Sequence, residues 1–96
     1  MPRLLTDDEI ERQLADLPAW SRTSDQTSAI VATYELADFV GAIAFVNRVA
    51  DEAEEMDHHP DLDIRWNKVT LVLSTHSEGG LTQLDIELAH RIAGLV

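Results

Sequence analysis

Three of the four histidines of this 96-residue chain lie in one stretch between Glu54 and Asp85. They are His58, His59 and His76. Histidine is the side chain that gains and loses a proton closest to neutral pH, so three of them in a short chain are the first candidates for general acid and base groups. The chemistry that these residues indicate is proton transfer.

The adjacent histidine pair is expected at the C-terminal end of a helix. The segment leading into it has helical periodicity, and Pro60 disfavours the α conformation at His59. Glu54 precedes His58 by one helical turn, so its carboxylate can face that ring. Two structural interpretations stay open: histidine often ends a helix without any catalytic role, and Glu54 could be a solvated charge on an acidic helix face.

The third histidine and the last carboxylate are placed by a strand and a helix start. His76 follows an alternating run, residues 69–75, that predicts a strand, so the sheet could carry His76 back to the helix end. Two glycines at positions 79 and 80 are expected to interrupt the regular structure. Beyond them, Asp85 stands three residues after Thr82, which is the spacing of a capping box. This local pattern by itself favours a helix-capping role for Asp85 over a catalytic one.

Other chemistries fit the spacing poorly. Adjacent histidines point in different directions on a helix or strand, whereas metal pairs on one element usually follow H-x-H or H-x-x-x-H, and no H-E-x-x-H is present. We therefore expect no metal site. No G-x-S-x-G motif precedes a serine, and no glycine-rich phosphate loop occurs. His90 stands alone near the end of the chain and is expected to be structural or exposed.

Composition limits the class of protein. The formal charge is −11, from 18 acidic and 7 basic residues, which argues against binding nucleic acid or an anionic membrane. The chain has no cysteine, which excludes disulfides and thiol chemistry and fits a reducing compartment. No apolar run is long enough to span a membrane, and no signal peptide is evident. We expect a cytoplasmic protein of one domain, residues 1–96.

The polar and apolar patterns predict seven elements in the order αββαββα. Capping boxes at Thr6 with Glu9 and at Thr82 with Asp85 mark the first and last helices, and Asp38 can cap the middle one. The predicted elements are helix 7–16, ended by Pro18, strands 19–23 and 28–36 around turn residues 24–26, helix 39–56, strands 62–66 and 69–75, and a last helix from residue 83. Two hairpins separated by a helix favour an α+β domain, with a four-stranded antiparallel sheet and helices packed on one face.

Helical spacing also predicts which side chains face the core. The positions are Phe39, Ile43, Val46, Val49 or Ala50, Ala53 and Met56 on the second helix, and Leu84, Leu88, Ile92 and Leu95 on the last. Ile86 and Ala89 lie beside the main stripe of the last helix, so we expect spare apolar surface that favours self-association. Trp20 either plugs the corner between the first helix and the first hairpin or stacks on a ligand, and the pattern favours the corner.

The histidine stretch also carries a family resemblance. It reads Glu54-x-x-x-His58-His59-Pro60, five residues, Trp66, nine residues, His76, eight residues and Asp85. This spacing resembles the signature of the pterin-4a-carbinolamine dehydratase family. Further matches are Asn67-Lys68-Val69, Leu73-Ser74-Thr75-His76, Gly80-Leu81 and Leu88-Ala89. The N-terminal third matches mainly in the order of elements and in Trp20.

The resemblance implies an activity and a set of site residues. Enzymes of the family are hydro-lyases that dehydrate 4a-hydroxytetrahydropterin to quinonoid dihydropterin, with neither metal nor organic cofactor, in tetrahydrobiopterin recycling. It also implies the αββαββα fold. The implied catalytic residues are His58, His59 and His76, and the residues implied to orient them or to contact the substrate are Glu54, Pro60, Trp66 and Asp85. Among these, we expect His58 and His76 to protonate the departing hydroxyl and His59 to contact the pterin as a base.

The resemblance also concerns partners. Relatives form dimers, or tetramers built from pairs of dimers, so we expect a homo-dimer as the minimal unit. A charge of −11 on each chain opposes close packing of four copies at low salt. The alternative function is that of a dehydratase-like dimerisation or assembly partner of another protein, without catalysis. Such a role needs a surface and not the histidines.

Overall fold

The computed structural model describes residues 2–23 and 29–96. Its elements are α1 (Asp7–Leu14), β1 (Ser21–Arg22), β2 (Ile30–Glu35), α2 (Phe39–Met56), β3 (Asp61–Arg65), β4 (Lys68–Leu73), a 3₁₀ turn (His76–Glu78) and α3 (Gln83–Ala93). This order confirms the predicted αββαββα arrangement. The predicted turn at residues 24–26 lies outside the described residues.

The four strands form one antiparallel sheet in the order β1-β2-β4-β3. β4 is central, and its alternate residues Val69, Leu71 and Leu73 are fully buried. These residues belong to one core cluster with buried side chains of all three helices, which confirms the predicted α+β fold with helices packed on the sheet. Within the described residues, no helix has the length and apolar character needed to cross a membrane.

The helix starts follow the predicted caps, but one helix end does not. Thr6 and Glu9 form both bonds of the capping box, and the Asp38 side chain accepts a hydrogen bond from the backbone N–H of Gly41. α1 ends at Leu14, two residues before the predicted end. The backbone N–H of Leu17 donates to the carbonyl of Leu14, and this tighter turn brings the Leu17 side chain into the core.

The prediction for the buried face of α2 was wrong in its N-terminal half. Phe39 is 50% exposed and Val40 is 76% exposed, whereas Ala42 and Phe45 are buried. α2 is apolar around much of its circumference, so periodicity did not distinguish two overlapping stripes. The Phe45 ring packs against Tyr34 with centroids 5.4 Å apart, and this contact turns the Phe45 side towards the sheet. Further along the helix, Val49 and Ala53 are buried as predicted.

Two other packing predictions can be compared with the structure. Leu88 and Ile92 of α3 are buried as expected, but Ile86 and Ala89 are buried as well. They therefore belong to the core and leave no spare apolar surface on α3, contrary to the prediction. Trp20 is also buried, and its Nε1–H donates a 3.0 Å hydrogen bond to the Tyr34 hydroxyl. This contact confirms the structural interpretation of Trp20.

Candidate active site

The end of α2 determines where the adjacent histidines point. Asp57 has φ 51° and ψ 45°, a left-handed conformation that turns the chain out of the helix. The backbone N–H of His58 then donates to the carbonyl of Ala53 and closes the helix end. Because His58 has left the helical spiral, it does not lie one turn above Glu54. The predicted Glu54–His58 contact is therefore wrong.

Glu54 contacts the other histidine of the pair. Its Oε2 lies 2.6 Å from Nε2 of His59. Both side chains are open to solvent, with 76% of the Glu54 side chain and 56% of the His59 side chain exposed. Such exposed pairs contribute little to stability. The contact therefore serves mainly to orient the His59 ring.

His58 has a different environment from its neighbour. It is buried, and its Nε2 lies 2.6 Å from Oδ1 of Asp85, whose side chain is 0% exposed. Asp85 comes from the first turn of α3, so this contact joins the end of α2 to the start of α3. A buried carboxylate at this distance fixes the orientation of the imidazole ring.

Asp85 also caps α3. Its Oδ2 accepts a 2.9 Å hydrogen bond from the backbone N–H of Thr82 and a 2.7 Å hydrogen bond from the Thr75 hydroxyl. The sequence favoured a capping role over a catalytic one, and the structure shows a cap that also holds a histidine. No buried side-chain nitrogen or oxygen among the described residues lacks a hydrogen-bond partner. Protein groups therefore provide hydrogen bonds to both oxygens of the carboxylate, as a buried charge requires.

His76 lies in a short loop beside this network. β4 ends at Leu73, two residues before the predicted end of the strand, and His76 begins the 3₁₀ turn. Thr75 and Gly80 close the loop: the N–H of Thr75 donates to the carbonyl of Gly80 at 2.8 Å. The loop reverses at Gly79, which has φ 74°, a conformation that glycine adopts without strain. The His76 side chain is exposed.

Strand pairing brings the start of this loop towards the histidine pair. Asp61, the second residue after His59, pairs with Val72 near the end of β4. The hydroxyl of Thr75, the residue before His76, contacts the carboxylate that holds His58. The structure thus places His58, His59 and the backbone that carries His76 at one end of the β3–β4 hairpin.

Trp66 lies at the other end of that hairpin. It occupies the β3–β4 turn with φ 53° and is 67% exposed. Pro60 precedes β3, so the five extended residues of this strand, a span of about 17–20 Å, separate it from Trp66. Pro60 directly follows His59 and restricts its backbone. Within one protomer, Pro60 lies with the histidines and Trp66 does not.

Thr75 is a residue of the site that the sequence reasoning missed. It was identified only as part of a matching segment, and Thr82 only as a helix cap. Nothing in the local pattern indicates that their hydroxyls meet at 2.8 Å beside Asp85. Across residues 2–23 and 29–96, no group of three or more His, Cys, Asp or Glu side chains is arranged to hold a metal ion.

The family model described as Pterin 4 alpha carbinolamine dehydratase matches residues 3–95. The chain belongs to this family. Among relatives provisionally named as pterin-4-alpha-carbinolamine dehydratases, one from Thermosynechococcus vestitus is 50% identical over 99% of this chain and 97% of its own. Another, from Roseiflexus castenholzii, is 52% identical over the whole of both chains.

Two solved structures have the fold of this dehydratase family member. The crystal structure of a transcriptional coactivator/pterin dehydratase from Brucella melitensis superposes with a TM-score of 0.92 and 35% identity, over 97% of this chain and 98% of that one. A pterin dehydratase-like protein described as a RuBisCO assembly factor in the alpha-carboxysome has a TM-score of 0.68 and 18% identity, over 80% and 88% of the two chains. The second similarity concerns the fold alone.

Proposed function

We propose that this protein catalyses the dehydration of 4a-hydroxytetrahydropterin to quinonoid dihydropterin, the hydro-lyase step of tetrahydrobiopterin recycling. The observation that carries the proposal is the 2.6 Å contact between His58 and the buried carboxylate of Asp85. This contact holds the imidazole ring of His58 in a fixed orientation, next to the exposed ring of His59 and the loop of His76. Membership of the family supports the choice of a pterin as substrate.

The reaction requires one acid and one base. The acid protonates the departing 4a-hydroxyl, the C4a–O bond breaks and water leaves, while the base removes the N5 proton so that the C4a=N5 double bond forms. In the proposal, His58 and His76 serve as proton donors to the hydroxyl, and His59 contacts the pterin and accepts the N5 proton. Imidazole groups can fill both roles near neutral pH. The elimination is redox-neutral and therefore needs no oxidant or reductant. The proposal assigns both proton transfers to histidines and includes neither a metal nor an organic cofactor.

The neighbouring groups have supporting roles. Glu54 orients the ring of His59, because its carboxylate lies 2.6 Å from Nε2. Asp85 does the same for His58 before proton donation. Pro60 limits the backbone conformations of His59 and so helps to direct its ring. Trp66 has no part in proton transfer in this proposal, because it lies at the far end of β3.

The test is a dehydratase assay on the metal-free protein with freshly generated 4a-hydroxytetrahydropterin. Replacing His59 or His76 by Ala should lower the rate about 10²-fold or more, because each removes a general acid or base. His90→Ala is the matched control, since His90 is an exposed histidine of α3. If both His59→Ala and His76→Ala keep the wild-type rate, the proposed mechanism is wrong.

We also propose that the protein forms a homo-dimer. Phe39 and Val40 expose apolar surface at the start of α2, and Leu62 and Ile64 do so on β3. Within the described residues, β3 pairs only with β4, so its outer edge has backbone groups available for a second chain. A domain of this size also has a small core, which association would enlarge. A tetramer is less favoured because of the charge of −11 per chain.

The same exposed apolar surface supports a second candidate function, that of an assembly partner of another protein. Exposed apolar patches are typical of protein–protein interaction sites, and Phe39 and Val40 are exposed neighbours on α2. Phe39, Val40, Leu62 and Ile64 are outside the network that holds His58. A protein that binds its partner equally well after the histidine substitutions, and has no dehydratase activity, would support this second function over the first.

A further inference from the structure

The hydroxyl of Thr75 takes part in two hydrogen bonds in the protein interior, next to the histidines. It is buried, and its Oγ1 lies 2.7 Å from Oδ2 of Asp85 and 2.8 Å from Oγ1 of Thr82. Thr82 is also buried, and its hydroxyl oxygen accepts a hydrogen bond from the backbone N–H of Leu84 at 3.3 Å. The chain of contacts therefore runs from the first turn of α3, through two hydroxyls, to a carboxylate.

The direction of this chain follows from the number of protons available. A hydroxyl has one proton to donate, and an ionised carboxylate can only accept. Thr75 donates its proton to Asp85, so Thr82 must donate to Thr75. The backbone N–H of Thr82 donates to the same Oδ2 of Asp85. Both donors are thus committed to one carboxylate oxygen, and Oδ1 is left for His58.

This arrangement determines how His58 binds its proton. An ionised carboxylate can only accept, so the proton in the 2.6 Å contact lies on Nε2 of His58 and is donated to Oδ1 of Asp85. Nε2 of His58 then carries a proton in both the neutral and the protonated ring. Nδ1 is therefore the nitrogen that can exchange a proton with the substrate. We infer that Thr75 is a positioning residue for the proposed dehydration, and that Nδ1 of His58 is the atom that donates to the substrate.

Thr75 also connects His58 with the loop that carries His76. Its backbone pairs with Gly80 on both sides, with N···O distances of 2.8 and 3.3 Å, and this pairing closes the loop. Its side chain is tied to the carboxylate that holds His58. Loss of the hydroxyl should therefore loosen the relative placement of His58 and the start of the His76 loop. The inference rests on the proposed function for its catalytic meaning, but the tautomer of His58 can be measured without activity.

The kinetic test compares Thr75→Val, which removes the hydroxyl but keeps the shape, with Thr75→Ser, which keeps the hydroxyl. The matched control is Thr70→Val, because Thr70 is a β4 threonine whose hydroxyl bonds to Thr33 at 2.8 Å, away from Asp85. We expect kcat to fall about 10-fold in Thr75→Val with little change in KM, as for partners that orient catalytic or metal-bound histidines. Thr75→Ser and Thr70→Val should stay within about twofold of wild type on the same scale. Equal kcat in Thr75→Val and wild type, or equal loss in both Thr75 variants, would overturn the inference.

The second test is ¹⁵N NMR of the histidine rings in the wild-type protein across neutral pH. We expect Nε2 of His58 to carry a proton at every pH tested, so that Nδ1 is the nitrogen without a proton in the neutral ring. The opposite pattern, with Nδ1 protonated throughout, would overturn the assignment. This measurement decides the case if Thr75→Val does not fold. It also separates two failures: a protein with no dehydratase activity would refute the proposed function, while the NMR result would still decide the state of His58.

Discussion

Replacing Asp85 by Asn tests the site most directly, because Asn has nearly the same shape and lacks the charge. Its carbonyl oxygen can take the place of Oδ2 and accept from Thr75 and from the backbone N–H of Thr82. Its amide group then faces Nε2 of His58 in place of Oδ1. Nε2 of His58 can only accept a hydrogen bond from that amide, so it must carry no proton. An imidazolium ring would place its Nε2–H donor against the amide N–H donor, which is unfavourable.

The expected magnitudes differ for stability and activity. Two charge-assisted hydrogen bonds become neutral ones, each weaker by about 1 kcal/mol, while burial of an amide costs less than burial of a charge. Stability should therefore fall by at most about 2 kcal/mol, and the melting temperature by at most about 8–16 °C for a domain of this size. The rate should fall about 10²-fold or more, because an analogous change in another enzyme, which gives the wrong histidine tautomer, costs as much as 10⁴.

The assay measures the loss of freshly generated 4a-hydroxytetrahydropterin, beside a thermal melt that shows the variant is folded at the assay temperature. Asp51→Asn is the matched control, because it makes the same change on an exposed residue of α2. A folded Asp85→Asn protein whose rate stays within about threefold of wild type would refute the role given to the His58–Asp85 pair.

Three further predictions concern metal, pH and association. Dialysis against a chelator should leave activity and melting temperature unchanged; a tightly held transition metal whose removal abolishes activity would contradict this. The Arg3 guanidinium and the backbone N–H of the α1 cap lower the pKa of Glu9 from 4.5 to about 2. The stability that ionised Glu9 contributes to the folded state is therefore present above pH 4.5 and is lost as the pH falls towards 2. Stability should depend less steeply on pH in this range in Glu9→Gln than in wild type, whereas Glu11→Gln should keep the wild-type slope. Sedimentation equilibrium should show a dimer at tens of micromolar, a common range for protein association. Val40→Glu should weaken the dimer more than Leu4→Glu does. If the wild-type protein is a monomer at tens of micromolar, the predicted dimer is wrong.

Much of the fold was predictable because local sequence determines it. Thr6, Asp38 and Thr82 mark helix starts by side chains that bond to backbone groups within three residues. The alternation of apolar and polar residues indicated β2, β3 and β4, because successive side chains in a strand point to opposite faces of the sheet. The order of elements and both hairpins followed from these signals. The three histidines were identified by residue type and spacing, before any contact was known.

The choice of helix face depended on the tertiary structure. α2 has more apolar positions than one face can bury, and the sequence pattern favoured Phe39 over Phe45. Packing on the sheet selected Phe45, because its ring meets Tyr34. On α3, the pattern placed Ile86 and Ala89 beside the core stripe, yet both are fully buried members of the core cluster. Local periodicity cannot decide between faces of similar hydrophobicity, because the difference lies in the surface that they meet.

The histidine contacts also needed the tertiary structure. The sequence by itself determined that Glu54, His58 and His59 lie close together, but it assigned Glu54 to His58. The left-handed conformation of Asp57 moved His58 towards α3 and left His59 beside Glu54. The partner of His58 is Asp85, which is distant in sequence and is brought near by the packing of α3 against α2. Such a contact has no local signature, because its geometry is set by the relative position of two helices and not by the residues between them.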